Sequence, residues 1–137
     1  MVRFKIAEHI FELAMGAMCR PVAVPRNFRP FVTTEQGEPL FRLLLDSPIE
    51  LRTDAPLQTF DYDLQVGDCT LSIYPDEYRL TVRSSGEATL VCPFVEEGEV
   101  ADYRTDLFVE GAKPDSVMFD HLMCFAYSFA TLPHKTL

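Results

Sequence analysis

The alternation of apolar and polar positions sets out most of this chain as short strands. Val2, Phe4 and Ile6 alternate with Arg3 and Lys5, Glu8 and His9 interrupt, and Ile10, Phe11 and Leu13 resume, which reads as two short strands or one bent strand. From Arg20 to Phe31 three prolines exclude a helix and predict an extended, surface-hugging path. A turn at Glu35 to Glu38 then leads into a strand over Leu40 to Leu45. The middle is the clearest β region. Phe60, Tyr62, Leu64 and Val66 alternate with Asp61, Asp63 and Gln65, placing rings and aliphatics on one face and carboxylates on the other. Cys69, Leu71 and Ile73, then Tyr78, Leu80 and Val82, then Ala88, Leu90 and Cys92 repeat the pattern between turn-forming residues, which predicts an antiparallel meander of about four strands. Pro93 to Thr105, carrying Glu96, Glu97, Glu99 and Asp102, reads as an acidic surface loop, and Asp106 to Val109 as a final strand.

The period changes in the last stretch. Asp115 to Leu132 reads as the only long helix, with Pro114 at its entry, Asp115 or Ser116 able to cap the first turn, and Pro133 unable to continue it. Val117, Met118, Leu122, Met123, Phe125, Ala126, Phe129, Ala130 and Leu132 spread apolar surface almost all round it, so it needs cover on more than one side. The expected fold is α+β: a mainly antiparallel sheet, built as a meander, packed on one long C-terminal hydrophobic helix. Residues 1–137 form a single domain, and the far side of the helix is expected to adjoin a body outside them.

Composition narrows the function classes. With 47% hydrophobic and 24% charged residues the chain is of the ordinary globular kind. Its 21 acidic and 12 basic residues give a formal charge of -9, a field that repels a phosphate backbone and argues against nucleic acid as a partner. No cationic start with a following apolar run marks a secretory signal, and the one long apolar stretch contains Asp120 and His121, as a core helix does and a membrane span does not. Cys19, Cys69, Cys92 and Cys124 are scattered without a C-x-x-C pair, which predicts reduced thiols in a cytoplasmic protein rather than a metal cluster or disulfide framework.

Candidate chemistry is sparse. Arg20, Arg26 and Arg29, interleaved with Phe28 and Phe31, form a candidate contact for an anion or an acidic partner, although arginines on a Pro-rich loop are also common solvated groups. Asp61 and Asp63 have the spacing of a paired-carboxylate site and equally that of a polar outer sheet face, the reading favoured here. His121 lies beside Asp120, but Phe125 occupies the i+4 position where a second ligand would stand, so it reads as a core or interface histidine. Met118, His121, Leu122, Phe125, Phe129 and His134 are candidate interface residues. No G-x-S-x-G or G-x-x-x-x-G-K-[ST] motif is present, and no catalytic, cofactor-binding or metal residue is assigned.

Several segments together resemble the N-terminal region of bacterial proteins related to HPr kinase/phosphorylase and to ATP-dependent phosphoenolpyruvate carboxykinase. They are Phe4-Lys-Ile-Ala-Glu-His-Ile-Phe11, Phe28-Arg-Pro-Phe31, the meander, and above all His121-Leu-Met-Cys-Phe-Ala-Tyr-Ser-Phe-Ala-Thr-Leu-Pro-His-Lys-Thr-Leu137. In those relatives such a helix ends in a Pro-containing turn and leads on to the phosphate-binding loop; Lys135 stands where that pattern leads one to expect glycine. The resemblance implies a non-catalytic accessory domain that positions a C-terminal nucleotide-binding domain and makes subunit or substrate contacts. It implies no cofactor in this chain, with ATP and Mg belonging to the parent protein, and no catalytic residue is carried over. Two readings from other classes stand beside it: a stand-alone ligand-binding β module with a cavity lined by Phe60, Tyr62, Phe125 and Phe129, and a scaffold that dimerises through the helix.

Overall fold

Nine strands and one long helix make up the computed structural model, which describes residues 2–16, 24, 26–64, 67–84, 86–96, 98–109 and 116–132. The strands are β1 (Val2–Ile6), β2 (His9–Ala14), β3 (Val32–Thr33), β4 (Phe41–Leu44), β5 (Gln58–Leu64), β6 (Gly67–Ile73), β7 (Glu77–Arg83), β8 (Glu87–Pro93) and β9 (Ala101–Thr105), and the helix α1 spans Ser116–Thr131. They form one sheet in the order β3-β1-β2-β4-β9-β8-β7-β6-β5. From β5 to β9 the sheet is the antiparallel meander that the alternation predicts, extended by one strand. The expectation of a mainly antiparallel sheet needs one correction: β4 pairs in parallel with both β2 and β9, so the sheet is mixed. Its two halves, β3-β1-β2-β4 and β9-to-β5, join along that parallel seam.

Local chemistry explains where the elements differ from their expected bounds. The interruption between β1 and β2 is a two-residue hairpin, Ile6 pairing with His9, with Ala7 at φ 48° and Glu8 at φ 72°. Positive φ at both central residues is the type I′ signature, whose twist suits a hairpin but which neither alanine nor glutamate favours. The Pro-rich stretch is not extended over its described part: residues Arg26–Phe31 form a 3-10 helix that includes Pro30. Proline's fixed φ falls within the 3-10 range, and one short turn needs few amide donors. The stretch read as an acidic loop contains β9, where buried Ala101, Tyr103 and Thr105 alternate with Asp102 and Arg104, and Asp106 to Val109 is a turn rather than a strand. Gly67 opens β6 at φ +141°, where an added Cβ would stand 2.0 Å from the Arg83 carbonyl oxygen, so that corner of the β5–β6 hairpin requires glycine.

The core lies between the sheet and α1. Phe4, Phe11 and Phe41 stand in register across β1, β2 and β4, and Tyr103, two residues along β9 from the Phe41 partner Ala101, continues the row of stacked rings, with centroids 5.2, 5.0 and 5.1 Å apart. Phe28, from the 3-10 helix, meets Phe4 and Phe11 edge-on at 6.3 Å. The helix crosses above this row. Tyr127 lies 5.8 Å from Phe11 and donates to the Ile6 carbonyl at 3.4 Å, Phe119 meets Phe108 at 5.2 Å, and Phe129 stacks on Tyr78 at 4.6 Å. Met118, Phe119, Leu122, Met123, Ala126 and Ala130 are all buried, so most of the apolar surface of the helix is enclosed by its own chain. Of its described residues only Cys124 is exposed, followed by Leu132 just beyond its end.

The opposite face of the sheet is mostly polar, with Val91 and Ile10 buried on it. Segment 46–57 runs along it, tied by Ser47 N–H to the Thr105 carbonyl at 3.0 Å, Arg79 to the Glu50 carbonyl at 2.6 Å and Leu57 N–H to the Ile73 carbonyl at 2.7 Å. Arg52 bridges Asp54 at 2.5 Å and Asp76 at 2.7 Å, and lies 4.0 Å over the Tyr74 ring. Glu12 is 1% exposed between two arginines of neighbouring strands. Arg42 Nε donates to its Oε2 at 2.9 Å, whereas Arg3 Nη2, 2.6 Å from Oε1, approaches outside hydrogen-bond geometry and holds that oxygen by charge alone.

Candidate functional site

A cleft of about 170 Å³ opens at the C-terminal end of α1, between the helix, β7, β8, β9 and the 94–100 loop. Its walls come from elements already fixed by the core. Tyr78 and Cys92 point to the helix side of β7 and β8, Ala101 and Tyr103 to the same side of β9, and Phe129 comes from the last turn of the helix with Leu132 just beyond it. The loop that closes it is held by Phe94 N–H donating to the Asp76 carbonyl at 2.9 Å and Glu99 N–H to the Glu96 carbonyl at 3.1 Å, with Gly98 at φ +89° making the turn.

Three of these rings touch: Tyr78 stacks on Phe129 at 4.6 Å and meets Phe94 edge-on at 4.7 Å. Glu96 and Glu99 stand at the rim, and the described lining contains no lysine, arginine or histidine. The floor is inert to proton chemistry near neutrality, because burial pushes the Cys92 thiol and the Tyr103 hydroxyl well above their ordinary ranges. Around the mouth the apolar surface stays open: Phe94 is 45%, Val95 44% and Leu132 49% exposed. The described groups of the cleft offer no nucleophile paired with a base.

The residues singled out from sequence fall unevenly around this site. Phe129 lines the cleft, and Phe125 lies 5.9 Å from it along the helix. Met118 and Leu122 are 1% exposed against the sheet, so their surface is spent inside the chain. His121 is half-buried on the outer side of α1. Its neighbour Asp120 accepts from Asn27 Nδ2 at 3.0 Å, and among the described residues the buried Oδ1 has no donor. Burial raises the Asp120 carboxyl above the usual range, with the charge of His121 opposing. His134 and Arg20 lie outside the described residues, as do Asp115, Pro114, Pro133 and Cys19. The Arg26 side chain is likewise outside them. Arg29 is exposed on the 3-10 helix, while Phe28 is buried in the core and so is no platform for a bound group.

The cavity expected between Phe60, Tyr62, Phe125 and Phe129 does not form with that lining. Phe60 and Tyr62 stack on each other at 6.4 Å on the edge strand β5, where both are more than two-fifths exposed. Asp61 accepts from Thr70 Oγ1 at 2.7 Å on the outer face of the sheet, in keeping with a solvated polar face. Sequence reasoning missed Tyr78, Phe94, Glu96 and Glu99 as a group. The signal within reach was the Phe94-Val95 pair, exposed apolar residues set between the end of β8 and an acidic stretch.

Among the described residues no group of histidine, cysteine, aspartate or glutamate is placed to hold a metal ion, and no helix is long and apolar enough to cross a membrane. No family model, curated protein or solved structure matches the chain, so the likeness to the HPr kinase and carboxykinase group rests on the segments quoted above.

Proposed function

We propose that the chain is a non-catalytic accessory domain of an ATP-dependent phosphotransferase or carboxykinase-like protein of the HPr kinase type, and that it meets the nucleotide-binding body through the C-terminal end of α1. The observation that carries this reading is the open apolar lip of Phe94, Val95 and Leu132 around the cleft. Three large apolar side chains gathered at one mouth are the mark of a surface that another body covers, whereas apolar residues scattered singly need no explanation. Most of the remaining apolar surface of the helix is enclosed by its own chain, which favours this end as the contact. ATP and Mg act, in this reading, on the partner body and not here.

Two results test it. The coding sequence beyond Leu137 is expected to encode a glycine-rich G-x-x-x-x-G-K-[ST] loop. That body, made separately, is expected to bind this chain, with Val95→Asp combined with Leu132→Asp weakening the complex by at least about tenfold, as removal of central apolar contacts does. A continuation without such a loop, or a double variant that binds as well as the parent chain, overturns the reading.

A stand-alone ligand-binding module remains the second reading, favoured by the cleft itself. At about 170 Å³ it is smaller than the roughly 300–1,000 Å³ of sites for drug-sized ligands, so it suits a single side chain or a very small molecule.

A further inference from the structure

We infer that the cleft is a socket for an arginine side chain carried on a basic segment of a protein partner. The inference rests on the reading that the C-terminal end of α1 is the contact surface, and it adds the chemistry of what enters.

Each part of the cleft matches one part of an arginine. The touching rings of Tyr78, Phe94 and Phe129 offer π-faces and edges in a partly desolvated recess, and a guanidinium is planar, weakly hydrated and stacks on such faces. Glu96 and Glu99 sit at the rim on a single turn closed by Glu99 N–H to the Glu96 carbonyl, where two carboxylates can accept from the forked donors of one guanidinium. No cation in the described lining already neutralises them. Among the described residues of the lining, an anionic or neutral polar ligand would meet two carboxylates without a donor from any charged group. The recess has room for a guanidinium and its stem. The lip of Phe94, Val95 and Leu132 would cover the methylenes and apolar neighbours of a residue on a chain, a surface for which a free small cation has no use. The formal charge of -9 also favours encounter with a basic segment.

The test is fluorescence anisotropy of a labelled eight-residue peptide bearing one arginine flanked by leucine and glycine, titrated with the full chain at low salt. Parallel titrations use the same peptide with citrulline, which keeps the shape and loses the charge, and free ethylguanidinium as competitor. The arginine peptide is expected to bind at least about tenfold more tightly than the citrulline peptide, a difference on the scale of one cation–aromatic contact plus rim ion pairs. Glu96→Gln with Glu99→Gln should abolish that difference and flatten the salt dependence, while Glu35→Gln on the opposite face leaves both intact. Phe94→Leu, which keeps the lip apolar and removes a ring, should weaken the arginine peptide selectively. Circular dichroism of each variant separates these effects from loss of fold.

Equal binding of the arginine and citrulline peptides, absence of binding, or indifference to the glutamate pair overturns the socket. None of these touches the contact-surface reading, which the titration with the nucleotide-binding body decides separately. Ethylguanidinium competing on equal terms with the peptide overturns assignment to a protein segment and makes the cleft a site for small organic cations.

Discussion

Individual side chains show where this chain tolerates tension. Glu12 is a buried carboxylate on a sheet face, kept there by Arg42 and Arg3 from the strands on either side. Because both arginines reach water, the network is screened on one side and is worth less than a fully interior ion pair. Glu12→Ala should therefore cost about 1–3 kcal/mol in urea unfolding, the scale for removing one partner of a buried polar contact. A loss below about 0.5 kcal/mol would show that the arginines leave Glu12 unsupported in solution. Asp120 gives a pH signature. Its carboxyl is raised in the fold by burial, so the folded chain holds that proton more tightly than the unfolded chain does. Its contribution is present at low pH and falls as pH rises through the window from the ordinary carboxylate value, about 3.9, to the raised folded value. Asp120→Asn should melt about 1–2 °C above the parent chain at pH 7 and lose that advantage below the window. Equal melting temperatures at both ends would remove the assignment. Cys124 is the exposed thiol on α1, yet desolvation and the nearby Asp120 push its thiol up. Alkylation at pH 7 should be slower than for an unperturbed thiol, and should accelerate on raising the pH past about 8.5. A rate matching free thiol at pH 7 would contradict this.

Elements account for most of what was legible in the sequence, and for what was not. The meander could be read because each of its strands pairs with its neighbour in the chain, so alternation and turn residues suffice. The helix could be read from its change of period. β9 was hidden by charge, since Asp102 and its acidic surroundings masked the alternation of Ala101, Tyr103 and Thr105 that buries one side of it. The parallel seam of β4 with β2 and β9 has no local signal at all, because it depends on residues far apart in the chain. Phe60 and Tyr62 show the limit of face patterns: they do lie on the helix side of the sheet, but at its far edge, where α1 does not reach. The β1–β2 hairpin yields a prediction of its own. Ala7 and Glu8 hold positive φ without the residues that favour it, so Ala7→Asn with Glu8→Gly should stabilise the chain by about 1 kcal/mol. An unchanged urea midpoint would mean the turn relaxes to another geometry in solution.

For the molecule as a whole, the distribution of cover decides where function can sit. The sequence implied a helix needing shelter on more than one side, and the fold supplies most of that shelter from the sheet, the 3-10 helix and the turn at Phe108. At one end, an aromatic recess, two carboxylates and three exposed apolar residues come together among the described residues. Apart from the Phe94-Val95 pair, that cluster has no local sequence signal, because its parts come from β7, the loop after β8 and the C-terminal end of α1. The most direct test is an NMR titration of the ¹⁵N-labelled chain with the nucleotide-binding body that the proposed function calls for. The account predicts amide shifts concentrated at Tyr78, Phe94 to Glu99 and Phe129 to Leu132. Shifts centred instead on β5 or on Arg29, with the cleft unmoved, would contradict it.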